Sequence, residues 1–205
     1  MINLLVLAAA FLIGGIPFGY LLVRLTRGTD VRSMGSGNIG ATNVLRTSGG
    51  ALGILTLLLD IAKGAFAVWL ADKLTGGSIT WMSLTALAVM FGHAFPVFLK
   101  FKGGKAVASF IGAFLYLMPL PLVACLLVFV VVVAISRYIS LGSVLATGLF
   151  PLAVFLIEHP PGIVLLASAI AGAFIVFRHR ANLQRIREGN EYVFAFGSGS
   201  RTKRR

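Results

Sequence analysis

Long apolar runs alternate with short polar clusters along the whole chain. Four runs, Ile2 to Val23, Ala51 to Ala71, Ile79 to Leu99 and Ile139 to Ile157, approach or reach the roughly 20 residues that a helix needs to cross the hydrocarbon core of a bilayer. Another, Gly162 to Phe177, is shorter but follows Pro161, and proline is favoured where a helix begins. The stretch from Ala106 to Ile135 reads either as one long helix or as two short ones, 106–118 and 120–135, parted at Met118-Pro119-Leu120-Pro121.

Composition places these runs in a membrane. Of 205 residues, 58% are apolar and 12% charged, with a mean hydropathy of +0.96, which leaves too little polar surface for a soluble domain. The net charge of +12 would suggest nucleic acid in a soluble protein; in a membrane protein the placement of the charges says more. With two short helices between 106 and 135, all basic residues except Lys63 and Lys73 fall in alternate loops or the tail on one side. A single long helix would put Arg137 and the tail on opposite sides. The expectation is an all-α integral membrane protein with seven transmembrane helices, N-terminus outside and C-terminus cytoplasmic. It forms one membrane domain over 1–205 and ends in a cytoplasmic basic tail, 178–205. The last residues, GSGSRTKRR from Gly197, are expected to be disordered and held near anionic headgroups. The first residues lack a positive n-region and read as a retained helix rather than a cleaved signal. Cys125, the lone cysteine, excludes an internal disulfide framework and a cysteine zinc site.

The inward segments carry the chemistry. Gly35 to Ala41, GSGNIGA, fits a dinucleotide-binding fingerprint, and Asp60 follows at a tempting distance. That fingerprint needs a strand before the glycines and an acid at the end of the next strand; here both flanks are transmembrane helices, so the match is accidental. What remains is a loop rich in glycine, serine, threonine and asparagine, able to approach and donate to phosphate. In GHAFPVFLKFKGGKAVA, Gly103-Gly104-Lys105 is expected to open a helix and to offer an anion backbone donors, a positive helix end and a lysine. In FRHRANLQRIREGNE, His179, Asn182 and Arg185 recur every three residues and share a helical face. Together the three segments suggest one polyanion site at the cytoplasmic membrane surface.

These strings resemble the bacterial acyl-phosphate-dependent glycerol-3-phosphate acyltransferases, the PlsY type. The resemblance covers nearly the whole chain and rests on GSGNIGATNVLR (Gly35 to Arg46), GHAFPVFLKFKGGKAVA (Gly92 to Ala108) and HRANLQRIREGNE (His179 to Glu191). It implies transfer of a fatty acyl group from acyl phosphate to the sn-1 hydroxyl of glycerol 3-phosphate, giving lysophosphatidic acid and phosphate, the first acylation of phospholipid synthesis. It further implies a multi-pass protein of the bacterial inner membrane; the placement of charge sets the site on the cytoplasmic face, and the lack of a ligand cluster in the inner loops gives the expectation of no cofactor or metal. The partners implied are glycerol 3-phosphate, long-chain acyl phosphate and membrane lipid, with functional coupling to an enzyme that produces acyl phosphate, and no nucleic acid.

On that resemblance Ser36, Arg46, Lys105, His179 and Asn182 would hold glycerol 3-phosphate and form the catalytic set, Arg46 acting as a bidentate phosphate fork. Thr42, Asn43, Gly103 and Gly104 would cradle the acyl phosphate, with Ser143 nearby; His93 and Arg185 complete the binding set, and Asn38 would shape the loop. The proton acceptor stays open between His179, His93 and a substrate phosphate oxygen. Ser36 as a covalent nucleophile is the less favoured route. Asp60 and Lys63, three apart in a span, are expected to pair with each other or to anchor the first loop. An acyl-CoA or acyl-carrier acyltransferase of the H-x-x-x-x-D kind lacks its aspartate after any of His93, His159 and His179. A metal-dependent phosphatidyltransferase lacks clustered carboxylates. A transporter of phosphorylated solutes would place its site near the midplane and show a repeat.

Overall fold

A computed structural model gives the fold and describes residues 1–194; the tail from Gly197 lies outside them. Among these residues ten α-helices follow one another: α1 Ile2–Gly14, α2 Phe18–Arg27, α3 Ala41–Ser48, α4 Gly50–Leu74, α5 Ile79–Ala94, α6 Val107–Leu117, α7 Pro119–Ser136, α8 Ile139–Glu158, α9 Gly162–Arg178 and α10 Arg180–Arg187. Short 3-10 turns occur at Val31–Ser33 and Val97–Leu99, and there is no strand among the described residues. The all-helical expectation therefore holds.

Among the described residues, five helical stretches are long and apolar enough to cross a membrane: Ile2–Arg27, Gly50–Leu74, Ile79–Leu99, Pro119–Ser136 and Ile139–Glu158. There are six if α9 and α10, bent by 50° at His179, count as one. Leu127, Val130, Val131 and Ile135 on α7 are exposed by 56–80%, whereas Asp60, Lys63 and His93 are buried. Such a distribution is stable only when the surrounding solvent is hydrocarbon.

Several boundaries differ from those read off the sequence. The first apolar run is not one helix: it breaks at Gly15-Ile16-Pro17, because proline lacks the N–H needed to continue the ladder. α5 stops at Ala94, since Pro96 bars its continuation, and the chain re-enters a turn at Val97–Leu99. Helix α6 starts at Val107, so Gly103-Gly104-Lys105 precedes the helix rather than opening it.

The chain forms two compact units, Met1–Leu117 and the part from Met118 onward. In the first, α4 packs on α6, α5 and α3, while α1 packs on α5. The α4–α6 crossing is close: a Cβ on Gly64 would strike the Ser109 carbonyl, and one on Gly112 would strike the Ile61 carbonyl. Small residues at such crossings let two backbones meet where lipid supplies no hydrophobic drive. In the second unit α8 packs between α7 and α9, and α10 rests on α8 and α9.

Candidate functional site

The first polar loop is built around one side chain. Asn43, in the first turn of α3, is 2% exposed. Its amide nitrogen donates to the carbonyls of Asn38 (2.8 Å), Met34 (3.1 Å) and Val31 (3.3 Å), and its Oδ1 accepts from the Ser36 N–H (2.9 Å). The structure thus gives Asn43 a shaping role in place of the expected contact with acyl phosphate, because folding the loop occupies its polar atoms. Asn38 also shapes the loop, accepting from the Gly40 N–H at 2.8 Å. Ser36 and Thr42 are left exposed on this frame, and Arg46, one turn along α3 from Thr42, is half-buried. Upstream, Asp30 accepts from the Arg32 backbone N–H (2.9 Å) and pairs with the Arg32 guanidinium (2.6 Å). The hydrogen bond from that guanidinium holds the Asp30 carboxyl below the usual carboxylate range. Arg32 also lies over the Tyr20 ring, 5.0 Å from its centroid.

The second polar loop is clamped to the end of α5. The Gly104 N–H donates to the His93 carbonyl (3.1 Å) and the Gly103 N–H to the Ala94 carbonyl (3.2 Å). These two amides, expected to cradle an anion, are already engaged; a Cβ on Gly103 would strike the His93 carbonyl, and one on Gly104 the His93 ring. The glycines are there for close approach. Lys105 follows, half-buried, and Ala106 takes φ +65°, a left-handed conformation uncommon for a residue with a Cβ. His93 itself is 4% exposed.

Beneath this loop lies a buried ionic chain. Lys63 Nζ sits 2.7 Å from Asp60 Oδ1 and donates to the Ile16 carbonyl at 2.8 Å, so it satisfies a carbonyl at the break between α1 and α2. His93 Nδ1 stands 3.7 Å from the same Asp60 oxygen, too far for a hydrogen bond but within electrostatic reach. Asp60 and Lys63 therefore do pair, as one of the two sequence readings held, and the Asp60 carboxylate also faces a histidine from a different helix.

In the second unit the third polar segment closes on Glu191, which is 4% exposed. Its Oε1 accepts from Asn182 Nδ2 (2.7 Å) and Ser140 Oγ (3.1 Å), and its Oε2 from Arg185 Nε (2.7 Å). Asn182 and Arg185 share a face of α10, as their spacing predicts. Glu191 escaped sequence reasoning, although it is one of only six acids in the chain. His179, between α9 and α10 and 4% exposed, has Nδ1 2.8 Å from the Ile175 carbonyl. A carbonyl can only accept, so Nδ1 carries the proton, and in the neutral ring Nε2 is the acceptor. Ser143 is 4% exposed, and its hydroxyl donates back to the Ile139 carbonyl (2.9 Å).

Comparison with known proteins matches residues 4–189 to the family model described as glycerol-3-phosphate acyltransferase. A glycerol-3-phosphate acyltransferase of Geobacter sulfurreducens is 46% identical over 195 residues, covering 95% of this chain and 99% of the relative. One of Trichlorobacter lovleyi is 47% identical over 188 residues, covering 92% and 95%. Among solved structures, the glycerol 3-phosphate form of PlsY (YgiH), described as an integral membrane glycerol 3-phosphate acyltransferase, superposes with TM-score 0.88 at 38% identity, covering 94% of this chain and 96% of that one. The lysophosphatidic acid form gives 0.86 at 36% identity, covering 94% and 95%.

Proposed function

The chain belongs to the glycerol-3-phosphate acyltransferase family, and on that premise we propose that it acylates the sn-1 hydroxyl of glycerol 3-phosphate from acyl phosphate. The products are lysophosphatidic acid and inorganic phosphate. It is a multi-pass membrane protein; the proposed placement is the bacterial inner membrane, with seven spans and the reaction on the cytoplasmic face.

One observation carries the reading. Folding the first loop consumes Asn43 and Asn38 but leaves Ser36 and Thr42 exposed on a fixed frame beside Arg46. That is a rigid, cationic and donor-bearing surface with no carboxylate in its motif, suited to phosphate groups. We assign Ser36, Arg46, Lys105, His179 and Asn182 to glycerol 3-phosphate and Thr42 to the acyl phosphate; Ser143, whose hydroxyl is committed to the Ile139 carbonyl, is not assigned to either. Arg185 supports Asn182 through Glu191.

Acyl phosphate is a mixed anhydride, so its phosphate leaves without strong acid assistance, and catalysis consists chiefly of positioning and charge neutralisation. The glycerol hydroxyl oxygen bonds to the acyl carbon, the bond from that carbon to the phosphate oxygen breaks, and the hydroxyl proton passes to an acceptor. A substrate phosphate oxygen can take it. So can His179 Nε2, a role favoured by the Nδ1 contact with the Ile175 carbonyl.

Donor choice is the test. Purified protein given glycerol 3-phosphate should form lysophosphatidic acid with palmitoyl phosphate and none with palmitoyl-CoA or palmitoylated carrier protein. Product from the thioesters alone would overturn the assignment of the donor.

A further inference from the structure

In the first unit a continuous line of buried contacts runs from the broken first span to the Lys105 loop. It passes from the Ile16 carbonyl to Lys63, from Lys63 to Asp60, and from Asp60 to the His93 ring. The far edge of that ring, at Nε2, occupies the space that a Cβ on Gly104 would fill. The His93 and Ala94 carbonyls receive the Gly104 and Gly103 amides. Lys100, Phe101 and Ala106, all with φ between +53° and +65°, show that the loop keeps backbone conformations that its residues disfavour, which persist only where the surroundings dictate them. The side chains of Asp60, Lys63 and His93 are 2–4% exposed, and what they face is one another, the Ile16 carbonyl and Gly104.

We propose that Asp60 and His93, with Lys63 behind them, are positioning residues that set where the Lys105 ammonium is presented, and so couple phosphate binding to the break in the first span. This replaces the expectation that His93 binds substrate or takes its proton. It rests on the reading above that Lys105 binds a substrate phosphate.

The His93 ring fills the volume denied to residue 104, so the effects of changing the two positions must depend on each other. Four proteins are compared: wild type, His93→Ala, Gly104→Ala and the double variant, with folding checked by size exclusion and thermal unfolding. Each single change should raise KM for glycerol 3-phosphate about tenfold while kcat stays within about threefold, the signature of a displaced binding group rather than a lost reacting one. In the His93→Ala background the added methyl finds vacated space, so Gly104→Ala should raise KM by less than about twofold further. Asp60→Asn combined with Lys63→Met, which removes both buried charges and preserves volume, should give the same rise in KM.

Multiplying effects of His93→Ala and Gly104→Ala would overturn the proposal, as would a folded Asp60→Asn/Lys63→Met protein with unchanged KM. A collapse of kcat at constant KM would do so too, since it would place His93 at the reacting atoms. If His93→Ala does not fold, His93→Asn takes its place under the same criteria. Wild-type protein that makes no lysophosphatidic acid would defeat the acyltransferase reading itself; active wild type with indifferent variants defeats only the positioning role.

Discussion

Replacing Glu191 removes the one acceptor that three side chains share. The Asn182 amide donates to its carboxylate at 2.7 Å, Ser140 at 3.1 Å and Arg185 at 2.7 Å. A hydrogen bond to a charged group contributes about 1.5–3 kcal/mol, and a buried donor left unmatched costs about 1–3 kcal/mol. The Arg185 side chain is 32% exposed, so its pairing is partly screened and adds no more than about 1 kcal/mol. Glu191→Ala should therefore destabilise the protein by about 3–5 kcal/mol, most of it from the Asn182 and Ser140 donors left buried. Glu191→Gln keeps a carbonyl for those two donors but turns an amide toward Arg185, and should cost roughly 1–2 kcal/mol. Thermal unfolding in detergent should rank wild type above Gln and Gln above Ala, with the Ala variant lower by roughly 10 °C. Activity should fall with Ala beyond its loss of folded protein, because Asn182 is no longer oriented. An Ala variant within about 1 kcal/mol of wild type would refute the claim that Glu191 organises this segment.

Asn43→Ala withdraws a donor from three carbonyls and an acceptor from the Ser36 N–H, so about 2–4 kcal/mol of stability should go with it. Asn38→Ala, which loses one such contact, should cost under about 1.5 kcal/mol; equal losses in a paired unfolding experiment would contradict the central place given to Asn43. His179→Gln separates the two proton acceptors: a fall in kcat of about 100-fold or more supports Nε2 as the base, whereas a rate within about tenfold assigns the proton to substrate phosphate. For topology, single cysteines introduced at Arg32 and Arg180 in a Cys125→Ser background should be labelled from the cytoplasmic side and one at Gly76 from the outside. The opposite pattern at any of the three would refute the seven-span orientation.

Runs of apolar residues mark most of the helices in the sequence, because burial in lipid demands an uninterrupted stretch. The break in the first run was legible as well: GGIPFG carries a proline and three glycines, but average hydropathy passes over it. At Gly103-Gly104 the difficulty was of another kind. A glycine that admits phosphate and one that admits a neighbouring helix look the same until the neighbour is located, and His93 lies on a different element. The pairing of Asp60 with Lys63 follows from a helical spacing of three, yet their link to His93 joins α4 to α5 and has no local signature. Glu191 looked like the trailing residue of a motif. Its importance lay in contacts to Ser140, 51 positions away, and in the scarcity of acids in a basic chain.

The proposed chemistry rests on cationic and neutral donors acting on two phosphate-bearing substrates. Its most direct test follows phosphate and lysophosphatidic acid together, from palmitoyl phosphate and glycerol 3-phosphate, with purified wild type, Arg46→Ala and Lys105→Ala in excess chelator. Wild type should release one phosphate per lysophosphatidic acid, and each variant should lose about 100-fold or more in kcat/KM. Phosphate release without acylated product, or full activity in either variant, would contradict it.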